Sequence, residues 1–201
     1  VIHHIHSFTY GGWGLYTDEG SAGIRMENNL VYRCKNSAFH QHYGKDNIIR
    51  NNIFALNLYS QMQLSRIEDH LSFSFTNNII YYDQGLLYMD MGQDTWLKAQ
   101  TILDKNCFWN PTNQKQDFHG LSFSEWKKSG KDKHSVIADP QFIDPMNFDF
   151  RFKSTKVTKK IGFKPFDYSR AGVYGDQVWK EKAILSKELE DKFDVVMKNV
   201  K

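Results

Sequence analysis

The sequence has no long apolar run, little net charge and only two cysteines, and each shortage excludes a class of protein. No stretch approaches the ~18 consecutive apolar residues of a membrane span, so none is expected. The net charge is only +3, and the lysines lie among polar and acidic neighbours, which argues against a nucleic-acid-binding surface. Two cysteines are too few for a disulfide-based scaffold. An ordinary globular chain, able to bury its own core, remains.

A doubled asparagine recurs along the first half of the chain, each time inside a short strand-like pattern. The pairs start at positions 28, 51 and 77, and a weaker fourth copy has its asparagine at 106. The steps are therefore 23, 26 and about 28 residues. A period in this range predicts a solenoid, in which residues one period apart become neighbours. Adjacent surface asparagines without a structural role would not recur so regularly.

The residues around each asparagine pair predict strands, since apolar side chains alternate there, as at Ile24 and Met26 and again at Leu30 and Tyr32. The repeats are too short to hold helices between strands, so we predict an all-β fold, a right-handed parallel β-helix. Asparagine suits the bends because it tolerates the left-handed backbone conformation. Cys34 and Cys107 lie about three coils apart, beyond disulfide reach, so both are expected to be free.

The last third of the chain departs from the repeat. Capping-box spacing from Ser122 to Glu125, with Gly130 beyond, predicts a short inserted helix. From Lys180 onward, apolar residues at helical spacing predict a C-terminal amphipathic helix that caps or flanks the solenoid. We divide the chain into β-helix coils over 1–153 and a C-terminal extension over 154–201. The first residues match the stretch after an asparagine turn, so we expect earlier coils of the same protein to be missing and to be a partner of this piece.

The period also predicts which side chains stack between the turns. Tyr16, His40 and Gln63 are 24 and 23 residues apart, and Asp18, His42 and Ser65 keep the same steps. Strand alternation directs these residues outward if Met62 and Leu64 point inward. We therefore predict an exposed patch of unlike polar groups, which includes Gln61 and has Arg66 and Glu68 at its edge.

The residue types of this patch are typical of acid–base chemistry on a sugar. A carboxylate at Asp18 beside the imidazole of His42 can exchange protons near neutral pH. Trp13 and Tyr16 offer aromatic faces, and the flank of a solenoid can hold a long polymer. A zinc or calcium site built from Asp18, His40 and His42 is the rival, but a further ligand is not evident, so no metal is predicted.

A glycosidase needs two carboxylates, about 5–5.5 Å apart in retaining enzymes and about 6.5–9.5 Å apart in inverting ones. One coil beyond Asp18 stands His42 rather than an acid. The second carboxylate is therefore expected either one coil upstream, in the missing part, or at Glu19, Glu68 or Asp69.

Five stretches of the sequence resemble the right-handed parallel β-helix proteins of polysaccharide-degrading bacteria, and glycoside hydrolase family 141 is the grouping they resemble most. The stretches span about residues 10–176, and they differ from the group at 63–66 and 154–157; they are 11–21, 39–44, 47–55, 132–142 and 166–176. The resemblance implies α-L-fucosidase- or xylanase-like activity on a complex polysaccharide, an extracytoplasmic location, and Asp18 as a catalytic acid.

We accordingly predict a glycoside hydrolase without a cofactor. Its predicted catalytic residues are Asp18, Glu19 and His42, and its predicted substrate-binding residues are Trp13, Tyr16, His40, Gln61, Gln63, Arg66 and Glu68. Two alternatives stay open. A polysaccharide lyase or epimerase on the same fold would use Arg66, Lys45 or calcium to neutralise a uronate carboxylate. A non-catalytic carbohydrate-binding solenoid would use the patch for binding alone.

Overall fold

The computed structural model describes residues 1–7, 9–91, 95–113 and 115–198. Short strands predominate over most of this length. In chain order they are β1 (Ile2–His3), β2 (Leu15–Thr17), β3 (Ser21–Ala22), β4 (Arg25–Glu27), β5 (Leu30–Tyr32), β6 (Phe39–Gln41), β7 (Gly44–Lys45), β8 (Asn47–Arg50), β9 (Ile53–Ala55), β10 (Ser60–Leu64), β11 (Phe73–Thr76), β12 (Ile79–Tyr81), β13 (Leu86–Asp90), β14 (Thr101–Asp104), β15 (Cys107–Trp109), β16 (Val136–Ile137), β17 (Phe142–Asp144) and β18 (Asp149–Phe152).

Sixteen of these strands build a parallel β-solenoid of about five turns, which confirms the predicted fold class. One sheet has six strands in the order β1-β5-β9-β12-β15-β16. The β2 sheet has the order β2-β6-β10-β13, and the β4 sheet has the order β4-β8-β11-β14. A two-stranded parallel pair, β3 with β7, completes the first turns. Each strand therefore pairs with the strand one turn away, so the period in the sequence becomes lateral contact.

The first asparagine of each pair makes the bend between the β4 sheet and the six-stranded sheet. Asn28, Asn51 and Asn77 have φ between 55° and 58°, in the left-handed region, as the sequence predicts. In the fourth copy Lys105 occupies this position with φ 55°. The same backbone conformation is thus imposed in every turn, whether or not the residue favours it.

Lys105 therefore offers a direct test of the bend. Its side chain is exposed, and Lys105→Asn would restore the residue that the other turns carry. We expect this change to stabilise the fold by about 0.5–1 kcal/mol, because asparagine is less strained in the left-handed region. Urea denaturation would measure the gain. Lys45→Asn is the matched control, since Lys45 is exposed but outside the left-handed region, and an equal gain there would refute the explanation.

The second asparagine of each pair forms a buried ladder. The Nδ2 of Asn29 donates to Oδ1 of Asn52 at 3.0 Å, Asn52 donates likewise to Asn78 at 3.1 Å, and Asn78 to Asn106 at 3.4 Å. The main-chain N–H of each of the first three residues donates to the same acceptor. Asn52, Asn78 and Asn106 are fully buried. These bonds satisfy polar groups that the turn would otherwise leave unpaired inside the protein.

The ladder ends on a buried carboxylate. Asp132 Oδ1 accepts from Asn106 Nδ2 at 3.0 Å and from Ser135 Oγ at 2.5 Å. Its Oδ2 accepts from Trp126 Nε1 at 2.8 Å and from Tyr88 at 3.4 Å. Burial raises the pKa of Asp132, while these donors oppose that rise. Since the carboxylate only accepts, it can receive donors at both oxygens and so terminate the ladder.

The core lies between the three main sheets. It is filled by inward-facing side chains such as Val31, Phe54, Ile80 and Phe108 of the six-stranded sheet, which are all fully buried. Trp96 also packs there. Cys34 and Cys107 are free and buried, as expected from their spacing.

The outer face of the six-stranded sheet is covered by the C-terminal part of the chain. Strands β17 and β18 form an antiparallel pair outside the solenoid. Phe142 and Phe150 from this pair pack against Ile53 and Ile79 of the sheet. Asn51 further ties the chain at Lys164, both donating to and accepting from its main chain. A face that alternation alone would leave open to solvent is therefore buried.

Five α-helices occur among the described residues, and a short 3-10 helix spans Pro145–Asn147. The α-helices are α1 (Thr95–Lys98), α2 (Phe123–Lys128), α3 (Lys156–Ile161), α4 (Gln177–Lys182) and α5 (Lys187–Lys198). Helix α2 is the predicted inserted helix, and Ser122 and Glu125 form the expected capping box. Helix α5 lies on the flank of the solenoid, where Phe193 packs on Leu58 and Asp194 pairs with Arg33. No helix in the described ranges is long and apolar enough to cross a membrane. Residues 199–201 of the predicted extension lie outside them.

Candidate functional site

The candidate site lies on the outside of the β2 sheet, where the predicted stacking is correct. Tyr16 pairs with His40, and His40 pairs with Gln63, in the register of β2, β6 and β10. The column continues to Met89 on β13. Met62 packs in the core, as the alternation requires. Strand pairing thus brings together residues that are 24 and 23 positions apart.

The prediction that the patch is exposed is wrong for three of its residues. His40 is 1% exposed, Gln63 is 5% exposed and Gln61 is fully buried. The Nε2 of Gln61 donates to the main-chain oxygens of Asn57 and Gln84, so Gln61 braces a turn and does not face solvent. The alternation along a strand predicts which face of the sheet a side chain lies on. Whether that face is exposed to solvent depends on the neighbouring loops.

Trp13 is the residue that covers the column. Its indole N–H donates to Gln63 Oε1 at 2.7 Å, and its ring centroid lies 4.6 Å from that of His40. It also stacks on Tyr16, with centroids 5.1 Å apart and planes 16° apart, and Tyr10 meets it edge-on. The aromatic surface of Tyr10, Trp13 and Tyr16 is therefore continuous, and His40 and Gln63 lie beneath it.

His40 is a neutral hydrogen-bonding group. Its pKa is lowered from 6.5 to about 3, chiefly by burial and next by the nearby His42, while Asp18 acts in the opposite direction. Its Nε2 lies 2.5 Å from Ser65 Oγ. With this pKa, His40 is neutral at about pH 7 and cannot act there as an imidazolium acid, so a binding role suits it better than an acid–base role.

The buried His40 should make the fold sensitive to acid. Because the folded pKa is about 3 and the unfolded pKa is 6.5, the unfolded chain binds the extra proton first as the pH falls. Between about pH 7.5 and about pH 5, His40 should cost about 2 kcal/mol of unfolding free energy. His40→Gln should remove this part of the pH dependence in urea titrations. His134→Gln, at an exposed histidine, is the control, and equal slopes for the two variants would contradict the assignment.

Asp18 is exposed at the end of β2 and is held from two sides. Its Oδ1 accepts from the Tyr16 hydroxyl at 3.2 Å and from the Glu19 N–H at 2.9 Å. Burial and the Asp18 charge raise the pKa of Tyr16 to about 12. Tyr16 therefore keeps its proton and acts as a hydrogen-bond donor to the carboxylate.

His42 takes a different ion partner from the one that the period predicts. The period places it beside Asp18, but its Nε2 lies 3.8 Å from Glu19 Oε1. The same Glu19 oxygen lies 3.0 Å from Arg66 Nη1. Glu19 therefore bridges a histidine of the second turn and an arginine of the third. The chain bends after Asp18, and this bend turns the next carboxylate toward the later turns.

A second group adjoins the first, and sequence analysis missed its central residue. The Tyr43 hydroxyl donates to Glu68 Oε1 at 2.8 Å, and Arg66 lies over the Tyr43 ring at 5.3 Å. His70 lies 3.3 Å from Glu68. Tyr43, Glu68 and His70 border a shallow cavity of about 150 Å³ beside Gly20. Tyr43 could have been found from the sequence, because it follows His42 directly at the end of a strand of the predicted patch.

None of the groupings within the described ranges unites three or more histidine, cysteine or acidic side chains in a way that could hold a metal ion.

Comparisons with protein-family models, with curated proteins and with solved structures each find no match. The structure supports a parallel β-solenoid, which is the fold that the resemblance implies. The likeness to glycoside hydrolase family 141 rests on the sequence motifs alone.

Proposed function

We propose that this chain is a glycoside hydrolase that acts on a complex polysaccharide, with Asp18 and Glu19 as its working carboxylates. One observation carries the proposal: two neighbouring, solvent-exposed carboxylates lie beside the stacked rings of Trp13 and Tyr16. Hydrolysis of a glycosidic bond needs one carboxyl group to protonate the leaving oxygen and one to activate water or attack the sugar. Aromatic rings beside them offer a flat apolar face to a sugar ring.

Asp18 is proposed as the carboxylate that faces the anomeric carbon or its attacking water. Hydrogen bonds from Tyr16 and from the Glu19 N–H fix its orientation, which is what a nucleophile or general base requires. Both hydrogen bonds reach Oδ1 of Asp18, so the lone pairs of its other oxygen are available to the substrate or to water.

Glu19 and His42 are proposed to move the other proton. A carboxyl group and an imidazole 3.8 Å apart can together hold a proton and release it to the leaving sugar oxygen. Arg66 positions Glu19 from the next turn. The water proton taken by the base balances the proton given to the leaving group, so each turnover consumes one water.

Predicted residues together with Tyr43 are proposed to bind sugar on either side of this pair. Trp13 and Tyr16 form the aromatic side, while Tyr43 and Glu68 border the cavity on the other. Strand β2 is the last strand of its sheet, so a further turn of the same protein stacked on it would extend this face of the solenoid. We propose such a turn as the partner of this face. We also propose an extracytoplasmic location, because the resemblance implies one.

Lyase or epimerase chemistry is less well supported by the geometry. It requires a cation to neutralise a uronate carboxylate. The Arg66 guanidinium is paired with Glu19 and lies over the Tyr43 ring, which leaves the exposed Lys45 or added calcium for this role. The raised pKa of Tyr16 also makes it a poor base.

The product of the reaction decides among these functions. The full chain would be incubated with xylans, fucosylated polysaccharides and polygalacturonate, with and without calcium. Release of reducing ends without an unsaturated product is the result expected of a hydrolase. Unsaturated ends that depend on calcium would establish a lyase instead. Saturable binding without any new ends would establish a binding module and overturn the proposal.

A further inference from the structure

Trp13 covers polar groups that have unused hydrogen-bonding capacity. His40 Nδ1 is buried, and no described residue gives it a hydrogen-bond partner. Gln63 Oε1 accepts from the Trp13 indole, but the Gln63 Nε2 contacts only the Met91 sulfur, at 3.8 Å, among the described side chains. Buried polar groups left without full partners cost free energy, so this arrangement is costly unless it serves another state of the site.

The backbone on both sides of Trp13 is fixed. The carbonyl of Gly12 accepts from Asn36 N at 2.9 Å, and Gly14 N donates to Ser37 O at 3.0 Å. Gly14 is tightly enclosed, because a Cβ there would lie 2.4 Å from the Val31 side chain. Any uncovering of the column therefore comes from rotation of the Trp13 side chain, since the loop itself is anchored.

Among the described residues, Trp13 contacts the rings of Tyr10, Tyr16 and His40, and the first two are at the surface. Its ring is half-buried, Tyr10 meets it edge-on while being 77% exposed, and Tyr16 stacks on it while being 37% exposed. One hydrogen bond, to Gln63, joins it to the sheet. Outward rotation of the indole would break that bond. It would leave Gln63 Oε1 free to accept from a ligand and would expose His40.

We propose that a sugar-binding subsite lies beneath Trp13, closed in this structure, in which His40 Nδ1 and the Gln63 amide bind neighbouring hydroxyl groups once the indole rotates away. The covered column stands beside Asp18 and extends from Tyr16 to Met89. A neutral imidazole and an amide are both suited to hydroxyl groups, because each can donate or accept. The identity of the ligand rests on the proposed function, whereas the cover over His40 does not.

Acylation of histidines by diethyl pyrocarbonate, followed by peptide mass spectrometry, tests without any substrate whether Trp13 shields His40. His134 serves as the internal reference, since its side chain is 71% exposed. In the wild type we expect His40 to react at least about tenfold more slowly than His134. Trp13→Ala should remove most of this protection, and Trp13→Phe, which keeps a ring, should retain most of it. Tyr10→Ala should give an intermediate rate.

The same labelling tests the ligand. Xylohexaose or L-fucose should slow the labelling of His40 in Trp13→Ala, and sorbitol, which has hydroxyl groups but no ring, should not. If the acylation rate of His40 were unchanged in both Trp13→Ala and Tyr10→Ala, the proposal that Trp13 shields His40 would be wrong. Acceleration without protection by either sugar would overturn the sugar subsite, while the release of reducing ends would still test the hydrolase independently. Circular dichroism checks that Trp13→Ala folds; if it does not, Tyr10→Ala carries the test.

Discussion

Asp18→Asn should lower turnover of the polysaccharide by about 10²- to 10⁴-fold, the contribution of a positioned acid–base group. The substitution changes little else. The amide oxygen of asparagine can still accept from the Tyr16 hydroxyl and from the Glu19 N–H, which now bond to Asp18 Oδ1. Asp18 is exposed, so its change should not disturb packing. The measurement is the initial rate of reducing-end release, together with the dissociation constant of the unreacted oligosaccharide.

Asp46→Asn is the matched control for this substitution. Asp46 is an exposed carboxylate in the turn between β7 and β8, with φ 53°, a conformation that asparagine also tolerates. It should leave turnover unchanged. Glu19→Gln should also reduce turnover and should alter the basic limb of the pH–rate profile, because it removes the carboxyl group that is proposed to share the donated proton with His42. Full activity of Asp18→Asn would refute the catalytic role of Asp18. Lost turnover with retained binding would refute a purely binding function.

Asn78→Ala should cost about 3–5 kcal/mol of unfolding free energy, since it leaves several buried polar groups without partners. Asn78 Oδ1 accepts from both the main-chain N–H and the Nδ2 of Asn52. Its Nδ2 donates to the Ile49 carbonyl at 3.0 Å and to Asn106 Oδ1. Asn78 is fully buried, so water cannot replace these bonds without entering the core. Urea denaturation followed by circular dichroism would measure the loss.

The end of the same ladder provides the control. Asn29 is only half-buried, and its side chain donates to the Glu27 carbonyl and to Asn52. Asn29→Ala should cost about 1 kcal/mol, because water can reach the groups it leaves. If Asn78→Ala proved no more destabilising than Asn29→Ala, the ladder would not be a main source of stability in this solenoid.

Much of the architecture follows from the sequence because parallel strand pairing is a local, repeated interaction. The asparagine pairs mark the bends, and their steps predict that Tyr16 pairs with His40 and His40 with Gln63, as the structure confirms. The inserted helix was also predictable, since its capping residues Ser122 and Glu125 are close in sequence.

The environment of the candidate site was less predictable. His40 and Gln63 were expected to be exposed but are covered by Trp13, which comes from a loop outside the repeat. Glu19 was considered as a second carboxylate, yet its contacts with His42 and Arg66 depend on the course of the chain after β2. Loops of unequal length obey no period, so their contacts could not be derived from spacing.

By itself the sequence determined the solenoid, the positions of its bends and the residues that share a column, because backbone hydrogen bonds between successive turns require a regular repeat. Only the tertiary structure decided that Trp13 closes over the column, that His42 faces Glu19, and that the C-terminal hairpin buries the outer face of the six-stranded sheet. The physical reason is that these contacts depend on side-chain conformations and on packing between segments far apart in the chain, neither of which leaves a periodic signal.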